Sequence, residues 1–441
     1  MRNKFWMFAL VLIVMFIVAC TPTGVEESVS VEEVEPTEIV VPTDEPTDVP
    51  APTDEPAPTE AVEEEVMIEE ESAEITTNSD DPLVVGDDRS SQLAALTRSW
   101  NTDWTRRTIS TQDILSGGPP RDGIPSIDAP QFVDFADADQ WLVDVEPVIA
   151  LEINGDARAY PIQVITWHEI VNDVVGDQPV VVTFCPLCNS AIVFDANLDG
   201  EAVEFGVSGL LRNSDLIMYY RRTETLWQQF TGEGLIGEKA GEQLTFLASS
   251  LISYANFKDA YPDGIVLSRE TGHSRQYGNN PYAGYDTLDG RPFLFSGELD
   301  ERLAAVDRVV TVRLDGEQID IAYPVTLLAE IGVANDTQGN TNLAVFHLPG
   351  TTSGLGDRVI AEAADVGATA VFNRDLNGQT LTFSRDGDRF VDAETGSQWN
   401  IAGQAVDGEL AGQQLEPIVH ADHFWFSWAA FRPDTIIYQI Q

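Results

Sequence analysis

The sequence predicts a β-rich α+β protein in which two tandem, pseudo-symmetric repeats form one two-lobed body behind a disordered acidic N-terminal stalk. Three observations support this fold class. Residues 21–88 contain no Lys or Arg and are rich in Pro, Thr and Glu. Two later stretches match each other along their length, as expected for a duplication. Short apolar runs separated by Asn-Gly and Asp-Gly turns are typical of strands and hairpins.

The first twenty residues have the order of an export signal. Arg2 and Lys4 precede an apolar stretch over 5–18, and small residues lead to Cys20. That stretch is short for a membrane span. It resembles a bacterial lipoprotein signal, cleaved before Cys20, which would then carry lipid such as palmitate. We therefore expect an extracytoplasmic protein that is lipid-anchored to the cell membrane; an uncleaved anchor helix is the alternative.

The segment 21–88 is expected to be an extended, disordered linker. Its like charges repel one another, and it has few large apolar side chains to bury. A calcium-binding acidic tail is the functional alternative. The whole chain has 24 basic and 73 acidic side chains, which argues against nucleic acid as a partner because phosphate binding depends on Lys and Arg.

The remaining residues, about 350 in number, are enough for two ordinary domains. We expect an N-terminal extension packed on the body (89–145), repeat 1 (146–268), a Tyr-rich connector (269–306) and repeat 2 (307–441). Residues 232–244 and 403–415 are identical at seven of thirteen positions without a gap. Trp227 pairs with Trp399 in the same alignment, so the match reflects descent and not shared composition.

Strand and helix signals fill repeat 1. Residues 148–153 and 157–160 flank an Asn-Gly turn, which predicts a hairpin. Further strands are predicted at 180–184, 191–194 and 203–207. Short helices are predicted at 162–172 and 251–260, the second of which ends before Pro262.

Cys185 and Cys188 are the candidate reactive groups. They follow the apolar run 180–184, and Cys20 is the only other cysteine. The residues after Cys188 read as a strand, so the pair should lie in a turn between strands and not at the start of a helix, as in thioredoxin. Three roles stay open: a redox couple in which Cys185 is the nucleophile and Cys188 the resolving thiol, two ligands of a soft metal, or a structural disulfide.

A metal site needs more ligands than two thiolates, because zinc takes four, or three and a water. His168, on the helix predicted before the cysteine strand, is one candidate, and it would otherwise serve as a base or as a cation that lowers the thiol pKa. Aligning Phe184 with Phe346 places His347 at the position of Cys185. If the repeats pack around a pseudo-twofold axis near these loops, Cys185, Cys188, His168 and His347 would bind copper or zinc. His420 and His423 are a further pair, although their aromatic neighbours suggest core.

Several long motifs, in order, resemble one family. They are Gly117-Gly118-Pro119-Pro120-Arg121-Asp122-Gly123-Ile124-Pro125, Trp167-His168-Glu169-Ile170-Val171-Asn172-Asp173, Phe184-Cys185-Pro186-Leu187-Cys188, residues 206–215 and Tyr277-Gly278-Asn279-Asn280-Pro281-Tyr282. They are similar to the signatures of domain-of-unknown-function family 3179, which comprises exported bacterial and archaeal proteins, over about residue 105 to the C-terminus. Some relatives are classed as selenoproteins, which implies a reactive chalcogen in the cysteine motif. Where relatives have Gly after the second cysteine, this chain has Asn189, a residue that tolerates a left-handed turn.

Two functional hypotheses follow. The first is a membrane-anchored extracytoplasmic thiol protein, a possible thiol oxidoreductase or soft-metal protein, with a small molecule, a metal or a thiol as partner. The second is a non-enzymatic binding module in which Cys185 and Cys188 form a structural disulfide. The candidate ligand-binding residues are Asn172, Arg212, Asp215, Trp227, Tyr277 and Tyr282, with Tyr285 beside them. A hydrolase is disfavoured because neither a Gly-x-Ser-x-Gly nor a His-Glu-x-x-His motif is present.

Overall fold

A computed structural model describes residues 83–287, 291–314 and 316–440. The predicted signal, Cys20 and nearly all of the predicted stalk lie outside the described residues. Within the described ranges, none of the helices has both the length and the apolar character that a membrane crossing requires.

Helices are few and short in the described residues. The α-helices are α1 (Ser91–Leu96), α2 (Phe135–Ala138), α3 (Ile162–Ile165), α4 (Tyr254–Ala260), α5 (Val325–Ile331) and α6 (Trp425–Phe431). Single 3-10 turns occur at Thr111–Asp113, Tyr285–Thr287 and Ile360–Glu362.

Strands form most of the regular structure, which confirms a β-rich protein with few helices and several sheets. Up to residue 267 they are β1 (Leu115–Ser116), β2 (Phe132–Val133), β3 (Pro147–Ile153), β4 (Asp156–Pro161), β5 (Ile170–Val175), β6 (Gln178–Cys185), β7 (Ser190–Asp195), β8 (Asn197–Leu198), β9 (Glu201–Ala202), β10 (Phe205–Arg212), β11 (Asp215–Tyr220), β12 (Leu226–Gln228), β13 (Gly234–Ile236), β14 (Phe246–Leu247), β15 (Ser250–Ser253) and β16 (Ile265–Leu267).

The strands after residue 307 repeat the earlier succession. They are β17 (Arg308–Leu314), β18 (Ile319–Pro324), β19 (Val333–Gln338), β20 (Thr341–Leu348), β21 (Ala368–Asn373), β22 (Asp375–Leu376), β23 (Gln379–Thr380), β24 (Phe383–Asp386), β25 (Arg389–Asp392), β26 (Gln398–Trp399), β27 (Ala405–Asp407), β28 (Glu416–Pro417), β29 (His420–Phe424) and β30 (Ile436–Ile437). From β17 to β23 their lengths equal those of β3 to β9.

Three sheets of four or five strands are built from β1 to β16, and β8 and β9 form a separate two-stranded pair, as β22 and β23 do later. The strand orders of the three sheets are β15-β3-β4-β16-β2, β14-β7-β6-β5 and β1-β10-β11-β12-β13. The strands β1 and β2, which precede residue 146, pair with β10 and β16 at sheet edges. Pairing is antiparallel in all three sheets except between β4 and β16. The middle sheet holds the cysteine motif at the end of β6.

Three further sheets are built from the later strands, with orders β29-β17-β18-β30, β19-β20-β21-β28 and β24-β25-β26-β27. If the edge strands β1 and β2 are left out, each order is that of an earlier sheet with fourteen added to every strand number. The parallel pair recurs as β18 and β30.

The predicted hairpin at 148–160 is confirmed, since β3 and β4 pair in full register across Asn154-Gly155. The predicted helix at 162–172 is much shorter than expected. It ends at Ile165, a turn follows, and β5 begins at Ile170. A run of β-branched residues that pairs with the apolar β6 gains more from sheet burial than from a helix. The predicted helix at 251–260 likewise begins as strand β15 and becomes helical at Tyr254.

Candidate functional site

The cysteine motif forms a tight turn between two strands. Cys185 ends β6 and Ser190 begins β7, and these two residues pair. The Cys188 amide donates to the Cys185 carbonyl at 3.2 Å. Asn189 has φ +50°, so this residue adopts the left-handed conformation in the place where relatives were expected to have Gly. The prediction of a turn between strands, with no helix at the motif, is confirmed.

Asp215 joins the two cysteines in one cluster. The two Sγ atoms and a carboxylate oxygen of Asp215 all lie within 4.8 Å of one another. The β10–β11 hairpin places Asp215 there, because its turn residue Ser214 has a carbonyl that accepts from Cys185 Sγ at 3.8 Å. In the described part of the chain, this is the one group of three or more His, Cys, Asp or Glu side chains with that spacing.

The two carboxylate oxygens of Asp215 differ in their hydrogen bonds. Oδ2 accepts from Gln228 Nε2 at 2.6 Å and from the Phe230 amide at 2.9 Å. Oδ1 is buried and has no hydrogen-bond partner among the nitrogen and oxygen donors of the described residues. The thiols of Cys185 and Cys188 also hydrogen-bond to this carboxylate, but a thiol is a weak donor. The cluster therefore favours an added proton or cation at this oxygen.

Burial keeps the cluster protonated. Cys185 is 2% exposed, and Cys188 and Asp215 are 0% exposed. Burial raises the pKa of Cys185 and raises that of Cys188 well above its usual value. Burial also raises the pKa of Asp215 to about 7, although the bonds from Gln228 and Phe230 oppose the shift. Without a cation the site holds two thiols and a carboxyl that is about half protonated near pH 7.

A second carboxyl and two phenols lie near the cluster. Glu169 has φ +61°, and burial followed by the charge of Asp215 raises its pKa to about 8. Burial, then the charges of Glu169 and Cys185, raise the pKa of Tyr282. Burial and the Cys188 thiolate raise the pKa of Tyr285, whose hydroxyl is buried without a hydrogen-bond partner among the described residues. The positive φ of Glu169 and the unpartnered hydroxyl of Tyr285 thus occur beside the two cysteines.

His168 does not belong to the cluster. Its Nδ1 lies 2.7 Å from the Pro125 carbonyl, so Nδ1 carries the proton and donates. Its Nε2 then accepts from the Tyr277 hydroxyl at 2.7 Å. Burial lowers the His168 pKa to about 4. With both ring nitrogens engaged, the neutral imidazole links two loops, and the structure does not place it as a ligand beside the thiols.

His347 does not join the cluster either, and the alignment that placed it there is off by one residue. In the hairpin β5–β6, Ile170 pairs with Thr183, and in the hairpin β19–β20, Val333 pairs with Phe346. Counted from the hairpin turns, Leu348 occupies the position of Cys185. A shift of one residue moves a side chain to the other face of a strand. His347 Nε2 lies 3.2 Å from the Val366 carbonyl instead.

The predicted ligand-binding residues divide into two groups. Asp215 and Tyr282 lie at the cluster, as described above. Asn172 exchanges hydrogen bonds with the Phe205 backbone and so joins β5 to β10. Trp227 is 0% exposed and packs edge-on against Phe205. Arg212 and Tyr277 also lie outside the cluster. Arg212 Nη1 lies 3.4 Å from Gln228 Oε1, and the Tyr277 hydroxyl donates to His168 Nε2.

Sequence reasoning missed four residues that shape the site: Glu169, Gln228, Gln229 and Phe230. Gln229 Nε2 donates to Thr183 Oγ1 at 2.8 Å and to the Ser190 carbonyl at 3.2 Å, and so ties the cysteine hairpin to β12. The available signal was two adjacent glutamines beside a tryptophan, Trp227, that recurs as Trp399 in the predicted second repeat. Buried glutamines require partners, and here those partners are Asp215 and the cysteine hairpin.

Fold and site together define a β-rich protein with a buried dithiol–carboxyl cluster in a strand–turn–strand motif. The family model described as "Protein of unknown function (DUF3179)" matches residues 121–435. The chain belongs to this family, as its motifs indicated. No curated protein and no solved structure matches it.

The raised carboxyl pKa values predict how the metal-free protein responds to pH. Glu169 and Asp215 bind protons more tightly in the folded protein, so protonation of these two carboxyls stabilises the fold. This stabilisation is fully present below their unfolded pKa values. It is lost as pH rises through about 7 for Asp215 and about 8 for Glu169. The pKa of His168 is lowered by folding, so its protonation changes the unfolding free energy only below about pH 6.5, the usual pKa of histidine in an unfolded chain. We expect stability to fall between pH 6.5 and 8, with Glu169 accounting for about 2 kcal/mol.

Urea unfolding at pH 6.5 and 8 in the presence of a chelator measures this effect. Glu169→Gln keeps the side-chain shape and removes the titration, so its unfolding free energy should change less over the interval. An equal pH slope in wild type and Glu169→Gln would contradict the assignment.

Proposed function

We propose that the protein binds a soft metal ion, copper or zinc, through Cys185, Cys188 and Asp215. The observation that carries this proposal is the mutual spacing of the two sulfurs and the carboxylate oxygen, within 4.8 Å. Thiolates favour Cu(I) and Zn(II), and a carboxylate adds a harder ligand that zinc also accepts. Asp215 takes the place that sequence reasoning gave to His168 and His347.

A metal ion that binds in this buried pocket must replace the protons of its ligands. A divalent ion that displaces both thiol protons and binds the ionised Asp215 gives a site of net charge −1. The ion stabilises anions that burial alone disfavours, and metal binding is therefore linked to pH. It also supplies a charged partner for Oδ1 of Asp215, which has no nitrogen or oxygen donor among the described residues.

Three protein ligands leave a coordination position for another donor. Sites of this kind in zinc proteins are open to water or substrate, whereas structural zinc sites have four protein ligands. Glu169, Tyr282 and Tyr285 are the ionisable side chains whose charges interact with the two cysteines from outside the cluster. We propose that they tune the charge of the site and admit a small ligand.

The test is metal binding by the full chain, purified under anaerobic conditions and titrated separately with Zn²⁺ and Cu⁺. We expect one ion per chain by elemental analysis. Asp215→Asn keeps the shape but weakens the third ligand, so affinity should fall about 100-fold, at the upper end of the effect of outer-sphere changes. Asp392→Asn is the matched control, because Asp392 is also 0% exposed but bonds to Trp399.

Equal metal affinity in wild type and Asp215→Asn would overturn the ligand set. The absence of stoichiometric binding of either ion would overturn the proposal itself. Loss of binding in Asp392→Asn as well would show that general destabilisation, and not the loss of a ligand, is measured.

Reversible dithiol oxidation is the second candidate, favoured by the fact that both thiols are free and adjacent. Two thiols would form one disulfide and release two electrons and two protons to an oxidant of the disulfide or quinone class. Burial of both sulfurs opposes attack on a protein disulfide, so the metal site is preferred. A midpoint potential within the range of thiol oxidoreductases, with no bound metal, would reverse this preference.

We further propose that the chain is a tandem duplication that is exported and lipid-anchored through Cys20. The repeated strand order of three sheets supports the duplication. The charge pattern and apolar stretch before Cys20 support the anchor. In this arrangement only the first repeat keeps the thiols, because Leu348 stands at the place of Cys185 in the second.

A further inference from the structure

A cleft separate from the cysteine cluster lies between strands of the earlier and later halves. It has a volume of about 770 Å³. Ile192 and Phe246 contribute to one side, and Thr311 and Ala421 to the other. Ligand pockets commonly have volumes of about 300–1,000 Å³ and mostly apolar walls, so the cleft can hold a small organic molecule.

His420 and His423 both line this cleft, and each has a buried ring nitrogen without a hydrogen-bond partner in the described ranges. The other ring nitrogen of His420 bonds to the Ile418 carbonyl at 2.8 Å, so the backbone already holds His420. The more informative of the two residues is His423. It lines the cleft and is 2% exposed, and its Nδ1 is buried without a hydrogen-bond partner in the described ranges. Its ring contacts Phe230 at 4.4 Å and Trp428 at 5.6 Å between centroids. The aromatic contacts fix the imidazole without providing a hydrogen-bond partner for Nδ1. A buried polar atom in this state favours a ligand that bonds to it.

The walls indicate the charge and shape of the ligand. Apolar side chains and the rings of Phe230, Phe246 and Trp428 favour a flat, ring-bearing molecule. The cleft is also lined by two basic side chains, Arg313 and Arg432, and by the acidic Glu317, so neither sign of charge dominates its walls. Arg432 is paired with Asp320. Burial also lowers the His423 pKa, so the imidazole is neutral and recognises a hydroxyl group better than a carboxylate.

We propose that this cleft binds a neutral, ring-bearing molecule whose hydroxyl group hydrogen-bonds to the imidazole of His423. The cleft also reaches the cysteine cluster through one residue. The Phe230 ring contacts His423, while the Phe230 amide donates to Asp215 Oδ2. Occupancy of the cleft is thereby connected to the carboxylate of the proposed metal site.

The test compares 2-naphthol with 2-methoxynaphthalene, which has a similar ring system but no hydroxyl donor. Binding to the full chain is followed by the fluorescence of the probe. We expect wild type to prefer 2-naphthol by about 10-fold, the value of one good hydrogen bond. His423→Phe and His423→Leu should remove the preference, and Ala421→Trp should fill the cleft and abolish binding of both probes.

Thermal unfolding of each variant shows whether it folds. Cys185→Ser should retain 2-naphthol binding, which separates failure of this proposal from failure of the metal site. Equal affinity of wild type for the two probes would overturn the hydrogen bond to His423. Undiminished binding in Ala421→Trp, or no binding of 2-naphthol to wild type, would overturn the cleft as the site.

Discussion

Replacing Cys185 with serine is expected to abolish stoichiometric binding of zinc or copper. Structural zinc sites with four ligands provide about 10–16 kcal/mol, so one thiolate contributes about 3 kcal/mol, or about 100-fold in affinity. The actual loss should be larger here, because the site has only three protein ligands and serine stays protonated near neutral pH. Elemental analysis and metal titration of the full chain measure the change.

Cys188→Ser should behave in the same way, since both sulfurs belong to one cluster with Asp215. Cys20→Ser provides the matched control, because Cys20 is the only cysteine outside the motif. Retained metal binding in Cys185→Ser, or an equal loss of binding in Cys20→Ser, would contradict the assignment of Cys185 and Cys188 as ligands. A metal-free wild type whose thiols oxidise reversibly would instead support the dithiol candidate.

Replacing Trp227 with alanine is expected to destabilise the fold by about 3–5 kcal/mol, the usual cost of truncating a large buried aromatic side chain. Trp227 is 0% exposed and packs edge-on against Phe205. Urea unfolding of wild type and variant gives the difference in unfolding free energy. Phe293→Ala is the control, because Phe293 is 58% exposed and its truncation should have little effect.

The Trp227 result also separates two roles for this residue. The sequence suggested that it lines a ligand cleft, whereas the structure places it in the core. A loss below about 1 kcal/mol would be inconsistent with core packing. We also expect Trp227→Phe to leave 2-naphthol binding nearly unchanged, because Trp227 does not line the cleft that contains His423.

Local features were predictable where one physical signal dominated. The Asn154-Gly155 turn fixed the first hairpin, since few other residues adopt its backbone angles. The strand after Cys188 excluded a helix start and so placed the thiols in a turn. The helix predicted at 162–172 was wrong beyond Ile165, because pairing of β5 with β6 outweighs local helical propensity.

The third member of the cluster could not be found from sequence spacing. Asp215 lies far from Cys185 along the chain and reaches it only because the β10–β11 hairpin folds against the cysteine turn. His347 was assigned through an alignment that was one residue out of register. Strand pairing fixes that register, and local sequence similarity does not.

The sequence by itself determined a β-rich chain of the DUF3179 family with two thiols in a turn between strands. Those conclusions rest on contiguous motifs and on backbone preferences, which act over a few residues. Tertiary structure alone decided that the thiols are buried beside Asp215, that His168 is engaged elsewhere, and that a cleft contains His423. Such contacts join residues distant in sequence, and they exist only after the sheets have packed.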